Sequence, residues 1–388
     1  MFGPVTNIED LRKRAQFRVP KMFYDYADSG SWTEGTYRRN TDAFDEIKIR
    51  QRVAVDIEDR SVKSQMIGRD VSMPVALAPV GITGMQHADG EIKAALAAEE
   101  FGVPFTLSTM SICSIEAVAE ATTKPFWFQL YVMRDRGFTE GMIARAKAAG
   151  CDALVLTLDL QVLGQRHKDI RNGLTAPPEP KLKAILNLAT KPMWCLEMLG
   201  AKNKTFGNIV GHAPGVKSMN SLSEWTHEQF DPSLSWESIE WIKSKWDGKL
   251  ILKGINDVED AKIAAKIGAD AIIVSNHGGR QLDGALASIE VLADIVDAVG
   301  DKIEVHMDSG IRSGQDVFKA IALGAKGTYV GRAFIYGLGA MGQKGVTKSL
   351  EIIHTELNRT MGFSGETDIH NVGRHNLLQR SNGWAGVK

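Results

Sequence analysis

From residue 75 onward the chain alternates short apolar runs with longer stretches rich in Ala, Glu and Lys. The runs fall at 75–79, 104–108, 126–130, 153–158, 250–253, 271–275, 303–308 and 327–331, each four to six residues long. Continuous apolarity over so short a span predicts strands buried on both faces, as in a parallel sheet, rather than strands with one wet face. Between them the pattern predicts helices. Residues 90–101 are built from good helix formers. Residues 138–149, 257–267 and 314–323 run into Gly150, Gly268 and Gly324, each a suitable helix stop. A phrase of helix end, glycine turn and strand start occurs twice, from Ala146 to Asp152 and from Ala264 to Asp270.

Eight strands alternating with helices predict an α/β fold, a (β/α)8 TIM barrel. A doubly wound open sheet is the competing architecture. The count of eight favours the barrel, as do polar residues at the C-terminal ends of nearly all the strands. Two stretches break the rhythm. Between strands four and five, residues 236–246 account for one helix, and the remainder, about 175–230, is an insertion far longer than a usual βα loop. The first 74 residues form an N-terminal extension with a helix near 20–27, ended by Asp28-Ser29-Gly30. The expected organisation is one domain over 1–388: the extension, barrel strands within 75–335, the insertion, and a C-terminal helical segment over 336–388.

Composition narrows the function. The 388 residues carry 46 Lys+Arg against 47 Asp+Glu, a net charge of −1. A nucleic-acid surface would show as a basic excess, so no nucleic acid is expected and any anion site must be built locally. Cys113, Cys151 and Cys195 form no CxxC pair and no metal-ligand spacing. They read as small buried hydrophobes in a reducing compartment, and no metal is expected. The N-terminal segment carries charge from Glu9 onward and lacks the apolar run of a signal peptide. No stretch approaches the roughly 20 apolar residues that span a bilayer. A cytoplasmic location is expected.

In barrel enzymes the active site lies at the C-terminal ends of the strands. Here those ends supply Ala78-Pro79-Val80-Gly81, Ser108, Gln129 and Tyr131, then Thr157, Asp159 and Arg166, then Lys253, Ser275, His277 and Arg280, then Asp308-Ser309-Gly310 and Arg312, and finally Gly331-Arg332. One polar residue after a strand is commonly a turn. Nearly all of eight strands ending this way predicts a site. Barrel phosphates often bind at the loops after strands seven and eight. There Ser309, Gly310 and the helix starting at Gly314 offer backbone N–H groups, and Arg312 and Arg332 add guanidinium donors. Either arginine alone reads as a surface ion pair; together they predict phosphate.

His277 stands three residues before Arg280. An arginine that fixes a carboxylate, beside an imidazole that takes a proton, suits a substrate with a carboxylate next to a CH–OH carbon. Asp159 would stabilise the imidazolium, or it caps a helix after strand four. His306, within strand seven, and His354, His370 and His375, outside the rim, read as structural. Lys253 ends a buried strand, where a cation needs a partner. That partner is a neighbouring carboxylate or an anionic cofactor; a Schiff-base lysine is the rival chemistry.

The motif Ser275-Asn276-His277-Gly278-Gly279-Arg280-Gln281-Leu282-Asp283 resembles the signature of the FMN-dependent L-2-hydroxy-acid oxidase/dehydrogenase family. Tyr24-Asp25-Tyr26, Gln129-Leu130-Tyr131-Val132 and Asp308-Ser309-Gly310-Ile311-Arg312 support the likeness, which extends from about Pro20 to Thr360. Within the family, the segments 73–81, 135–138 and 331–334 are most similar to bacterial respiratory L-lactate dehydrogenases.

The resemblance implies FMN, held by Ala78 to Gly81, Ser108, Gln129, Thr157, Lys253, Ser275, Asp308, Ser309, Gly310, Arg312, Gly331 and Arg332. It implies Tyr26, Tyr131, Arg166, His277 and Arg280 around the substrate, with His277, Asp159 and Tyr131 catalytic. Lys253 would stabilise negative charge on the reduced flavin. It also implies a homo-oligomer, a tetramer or larger, and electron transfer to quinone or another respiratory acceptor. Many relatives have a proline soon after the residue matching Asp159; here the sequence is Asp159-Leu160-Gln161-Val162, so the loop shape differs. The first 74 residues are too few for a fused haem domain.

The insertion bears on the acceptor. Leu182, Ile185, Leu186 and Leu188, then Met193, Trp194, Leu196, Met198 and Leu199, interleave with Lys. Such a segment can lie in a membrane interface, which suits quinone at the cytoplasmic face of the inner membrane. A mobile lid and an oligomer contact are the other readings. An oxygen-using oxidase, a flavin-dependent isomerase and a non-catalytic phosphate-ligand scaffold are the competing functions.

Overall fold

The computed structural model describes residues 2–174, 182–213, 215–216 and 229–378. Eight parallel strands form its centre: β1 (Val75–Leu77), β2 (Thr106–Ser108), β3 (Trp127–Leu130), β4 (Ala153–Thr157), β5 (Lys249–Ile255), β6 (Ala271–Val274), β7 (Glu304–Met307) and β8 (Gly327–Val330). Their hydrogen-bonded order is β1-β8-β7-β6-β5-β4-β3-β2. A parallel bridge between Leu77 and Phe105 joins the two ends, with Leu77 N donating to Pro104 O at 2.8 Å. The sheet therefore closes into the expected (β/α)8 barrel, and no strand edge is left open within it.

Alternation along the strands sorts the core into two layers. Ala76, Trp127, Ala153, Val155, Ile251, Ala271, Ile273 and Tyr329 pack inside the barrel, and Met66, Ile67 and Val71 join the same cluster. The last three come from a hairpin, Ser64–Met66 with Arg69–Val71, in the N-terminal extension. Leu77, Leu107, Phe128, Leu154 and Leu252 belong to the larger core shared with the helices. The predicted helices are present: Gly90–Phe101, Arg136–Ala148, Trp236–Lys245, Val258–Ile267 and Gly314–Ala322. The Val258–Ile267 helix starts where Asp257 accepts from Glu259 N at 2.8 Å, and it stops at Gly268. His306 is buried inside the barrel between the Tyr329 hydroxyl at 3.2 Å and Glu304 at 2.9 Å, a structural role as expected. Cys113 and Cys151 are buried as expected, but Cys195 is only partly so.

The N-terminal extension is woven into the barrel. Its helix Ile8–Arg18 packs on Arg332–Met341, Lys21–Ala27 packs on His167–Asn172, and Gly35–Glu46 lies against the turn after β6. In the insertion, helices Leu182–Ala189 and Pro192–Leu199 are described. Trp194 faces inward: its indole N–H donates to Met85 O at 3.0 Å and its ring stacks on Phe23 at 5.5 Å. The sequence placed Trp194 among residues for a membrane interface; instead it anchors the insertion to the barrel. Further along, Asn208 is buried and accepts from Ile115 N at 2.9 Å while donating to the Ser111 hydroxyl at 2.8 Å. Part of the expected segment, 175–181, 214 and 217–228, lies outside the described residues.

Two outer helices approach closely where Gly337 faces Gly345. A Cβ on Gly345 would come 1.8 Å from Gly337 O, and one on Gly337 would come 2.1 Å from Gly345 O. A Cβ on Gly141, within Arg136–Ala148, would meet nothing within 4 Å. Gly345→Ala should therefore destabilise the fold by at least ~1–3 kcal/mol, whereas Gly141→Ala should stabilise it by ~0.5–1 kcal/mol. Denaturant unfolding of the two variants should give shifts of opposite sign.

Candidate active site

The C-terminal strand ends open into a cavity of about 390 Å³. Ala78 to Gly81, Tyr26, Tyr131, Arg166, Lys253, His277, Arg280, Asp308 to Gly310, Arg312, Gly331 and Arg332 all line it. Ser108, Gln129, Thr157 and Ser275 are fully buried and do not line it. Asp159 is also off the wall but touches the residue that matters: its Oδ1 is 2.9 Å from His277 Nδ1. It does not cap a helix, since the next one, His167–Asn172, has Arg166 at its N-cap. Asp159 can pack here because strand β5 carries Gly254 beneath it, where a Cβ would come 2.7 Å from Asp159 Cγ.

With Nδ1–H donated to the Asp159 carboxylate, His277 Nε2 is the ring nitrogen left to accept a proton. Burial raises the Asp159 carboxyl, but the charges of His277 and Lys253 outweigh it and hold the group below its usual 3.8. A carboxyl depressed in the folded protein contributes above its unfolded value and loses that contribution as pH falls through the folded one. Asp159 thus stays anionic through the whole neutral range.

Two guanidiniums flank one aromatic ring. Arg280 lies 4.6 Å and Arg166 5.6 Å from the centroid of Tyr26. Arg280 also donates to the backbone carbonyl of Tyr26, and Arg166 Nε donates to Asp169 at 2.5 Å. Burial and the nearby charge of Arg166 push Arg280 down to about 10. Two buried like charges so placed create a positive potential that a carboxylate would neutralise. Tyr131 lies across the cavity, its hydroxyl held above the usual phenol range mainly by burial.

Lys253 is buried with its Nζ 3.1 Å from Asp308 Oδ2 and 2.9 Å from Ser275 Oγ. Burial lowers its affinity for a proton, but Asp308 and Asp159 more than reverse this and keep it cationic. Beneath the floor, Gln129 Nε2 and Thr157 Oγ1 are buried with no partner in the protein. A buried amide donor left unpaired is costly, so a ligand that accepts from it is favoured.

At the far end, Arg312 lies 6.0 Å from the Tyr336 ring centroid and Arg332 lies 4.6 Å from that of Tyr37. Sequence reasoning also assigned an anion-binding role to the start of the helix at Gly314. Those amides are already taken: Arg312 N and Ser313 N donate to Asp316 Oδ2, and Gly314 N donates to Glu356 Oε2, all at 2.9 Å. An anion bound here would be left with the two arginines and the Ser309-Gly310 segment as donors.

These features fit FMN. One buried cation, Lys253, lines the cavity, with unpaired polar groups buried on the adjoining strands β3 and β4, which suits the polar edge of a flavin; two arginines, Arg312 and Arg332, line it as well, which suits a phosphate. The FMN-dependent dehydrogenase family profile matches residues 15–379. The chain belongs to the FMN-dependent dehydrogenase family. FMN is its cofactor. An L-lactate dehydrogenase of Vibrio cholerae serotype O1 is 44% identical over 372 residues, covering 96% of this chain and 98% of the relative. One from Haemophilus influenzae is 44% identical over 379 residues, covering 97% and 99%. Among solved structures, a monotopic membrane protein, (S)-mandelate dehydrogenase, superposes with a TM-score of 0.92 at 37% identity, covering 97% of this chain and 100% of that one.

Sequence reasoning missed the apolar wall. Phe23, Met85, Met110, Leu160, Leu163, Leu174, Phe206 and Phe230 line the same cavity. Several lie in the extension and around the insertion, and no local motif marks them. The phosphate assignment can be checked directly. Arg312→Ala should weaken FMN binding by about tenfold to a hundredfold, as for loss of a charged hydrogen bond, and leave riboflavin binding nearly unchanged. Fluorescence titration of the apoprotein with both flavins reads this difference; equal losses for the two would contradict the assignment.

Proposed function

We propose that this protein oxidises a small L-2-hydroxy acid, L-lactate to pyruvate first among them, and delivers the electrons to quinone or another respiratory acceptor. One observation carries the chemistry: the His277–Asp159 pair lines the same buried space as Arg280 and Arg166. The lactate dehydrogenase relatives, 44% identical over nearly the whole chain, support the substrate.

Oxidation of a CH–OH carbon removes two electrons and two protons. FMN, when bound, would supply the site that takes up the electron pair together with the second proton. The chain's own residues do the rest. Arg280 and Arg166 bind and orient the carboxylate, and Tyr26 and Tyr131 hydrogen-bond the carboxylate and the hydroxyl oxygen. His277 accepts one proton at Nε2, from C2 or from the hydroxyl. Asp159, across the 2.9 Å contact, stabilises the imidazolium that results. Lys253 contributes a fixed positive charge on the cofactor side, and burial of the site strengthens each of these interactions. Removing the base should slow substrate-driven bleaching of the flavin, measured anaerobically, by at least ~10²-fold in His277→Gln. Near-normal bleaching in that variant would rule out His277 as the base, and no bleaching of the wild type by any 2-hydroxy acid would rule out the oxidation itself.

For the acceptor, the carrying observation is an exposed apolar face on the insertion. Leu186, Met193, Leu196 and Leu199 are each at least 60% exposed, and Phe17 of the extension is 70% exposed. Lys191 Nζ lies 5.5 Å from the centroid of the Phe17 ring, which ties the two segments together. Large apolar side chains with adjacent lysines suit the headgroup region of a membrane. Among the described residues no helix is long and apolar enough to cross one. The reading is peripheral attachment at the cytoplasmic face of the inner membrane, and the (S)-mandelate dehydrogenase described as monotopic agrees with it. Replacing Leu196 and Leu199 by Glu should move the protein from the membrane pellet to the supernatant and slow re-oxidation by membrane quinone, with reduction by L-lactate unchanged. Full retention in the pellet would remove this face as the attachment.

A further inference from the structure

The turn that carries the base is conformationally unfavourable and is not held by its own loop alone. His277, Gly278 and Gly279 have φ values of 59°, 67° and 71°, and the left-handed region disfavours any residue with a Cβ. Asn276 is the residue that closes the turn, its Oδ1 accepting from Gly279 N at 3.0 Å. That same oxygen accepts from Asn40 Nδ2 at 2.8 Å, and Asn276 Nδ2 donates to Asn40 Oδ1 at 2.7 Å and to Leu286 O at 3.0 Å. The Asn276 amide is thus fully used, and both asparagines are buried.

Asn40 comes from the N-terminal helix Gly35–Glu46, far away in sequence. That helix touches both loops that matter. A Cβ on Gly279 would lie 2.4 Å from Tyr37 N, and one on Gly310 would lie 1.9 Å from Asn40 O. Arg332, stacked on Tyr37, donates to Gly278 O at 3.1 Å. We infer that Asn40 is a positioning residue for the reaction: its reciprocal amide pair with Asn276 aims the His277 turn, and its backbone seats the cofactor loop at Gly310. Base and cofactor are thereby set on one template. Apolar groups of similar shape at position 40 would leave one Asn276 N–H unpaired, a moderate cost to stability. What such groups cannot supply is direction, and a reacting group misplaced by about 1 Å can cost about 10²-fold in rate.

The inference rests on the reading of His277 as the base. Its test uses FMN-loaded Asn40→Leu, which keeps the size and loses both hydrogen bonds, and Asn40→Asp, which keeps the acceptor and loses the donor. Saturating L-lactate should reduce the flavin of Asn40→Leu about 10- to 100-fold more slowly than wild type, and that of Asn40→Asp by less. Substrate affinity should stay within about threefold, and the pH at which the rate rises should be displaced, because the His277–Asp159 contact is re-aimed. A purely structural residue would lower melting temperature and FMN content but leave the loaded fraction with wild-type rate and pH profile. That result, in whichever variant retains FMN, overturns the inference. It is distinguishable from failure of the base assignment, which would instead appear as normal reduction of His277→Gln.

Discussion

Closure of the sheet is the constraint on which the site depends. Strands as short as Val75–Leu77 and Thr106–Ser108 cannot stand as edges in a buried sheet, because their unpaired N–H and C=O groups would be costly. The bridge from Leu77 to the start of β2 removes that edge. Once eight parallel strands are closed, all their C-terminal ends face one side. Residues as distant as Ala78 and Arg332 then line one cavity. No individual loop needs to be elaborate, since each contributes one or two groups.

The second consequence is electrostatic. The closed barrel offers little water to its upper rim, so each buried charge must be balanced by another. Lys253 is matched by Asp308, His277 by Asp159, and Arg166 by Asp169. Arg280 differs: its guanidinium meets backbone carbonyls of Tyr26 and Ser29, and burial together with the like charge of Arg166 pushes it down to about 10. A substrate carboxylate, as proposed, would restore balance there. The arrangement therefore selects an anion beside the base before any shape complementarity is considered.

Much of this was legible in the sequence because burial on both faces turns a parallel strand into a plain apolar run. All eight strands lie within two residues of where the pattern puts them, and the helix at Gly90–Phe101 matches at both ends. The rim side chains were legible because they follow the strands directly. What failed depends on partners far along the chain. The helix start at Gly314 offers no free amides at Arg312, Ser313 and Gly314, partly because of Glu356, 42 residues away. The Asp316 contribution was readable, since Ser313 and Asp316 stand in capping-box spacing. Trp194 looked interfacial by composition, yet its direction was set by Phe23 and Met85. Asn40 carries no motif; only the fold brings it to Asn276.

The two halves of the proposed reaction draw on separable parts of the molecule. The groups for taking a proton and binding a carboxylate are on short loops fixed to the barrel, such as the turn after β6. The exposed apolar residues are on helices anchored by side chains such as Trp194, against Phe23 of the extension and Met85 of the barrel, and Glu197, beside His87. A change in the insertion can therefore alter what the protein docks to without moving His277 relative to Asp159. The reverse does not hold for the N-terminal extension. Its helix Gly35–Glu46 lies against the catalytic turn, while Phe17, earlier in the same extension, joins the exposed face. The extension thus physically spans both parts, and it offers a route by which the docking surface could influence the chemistry.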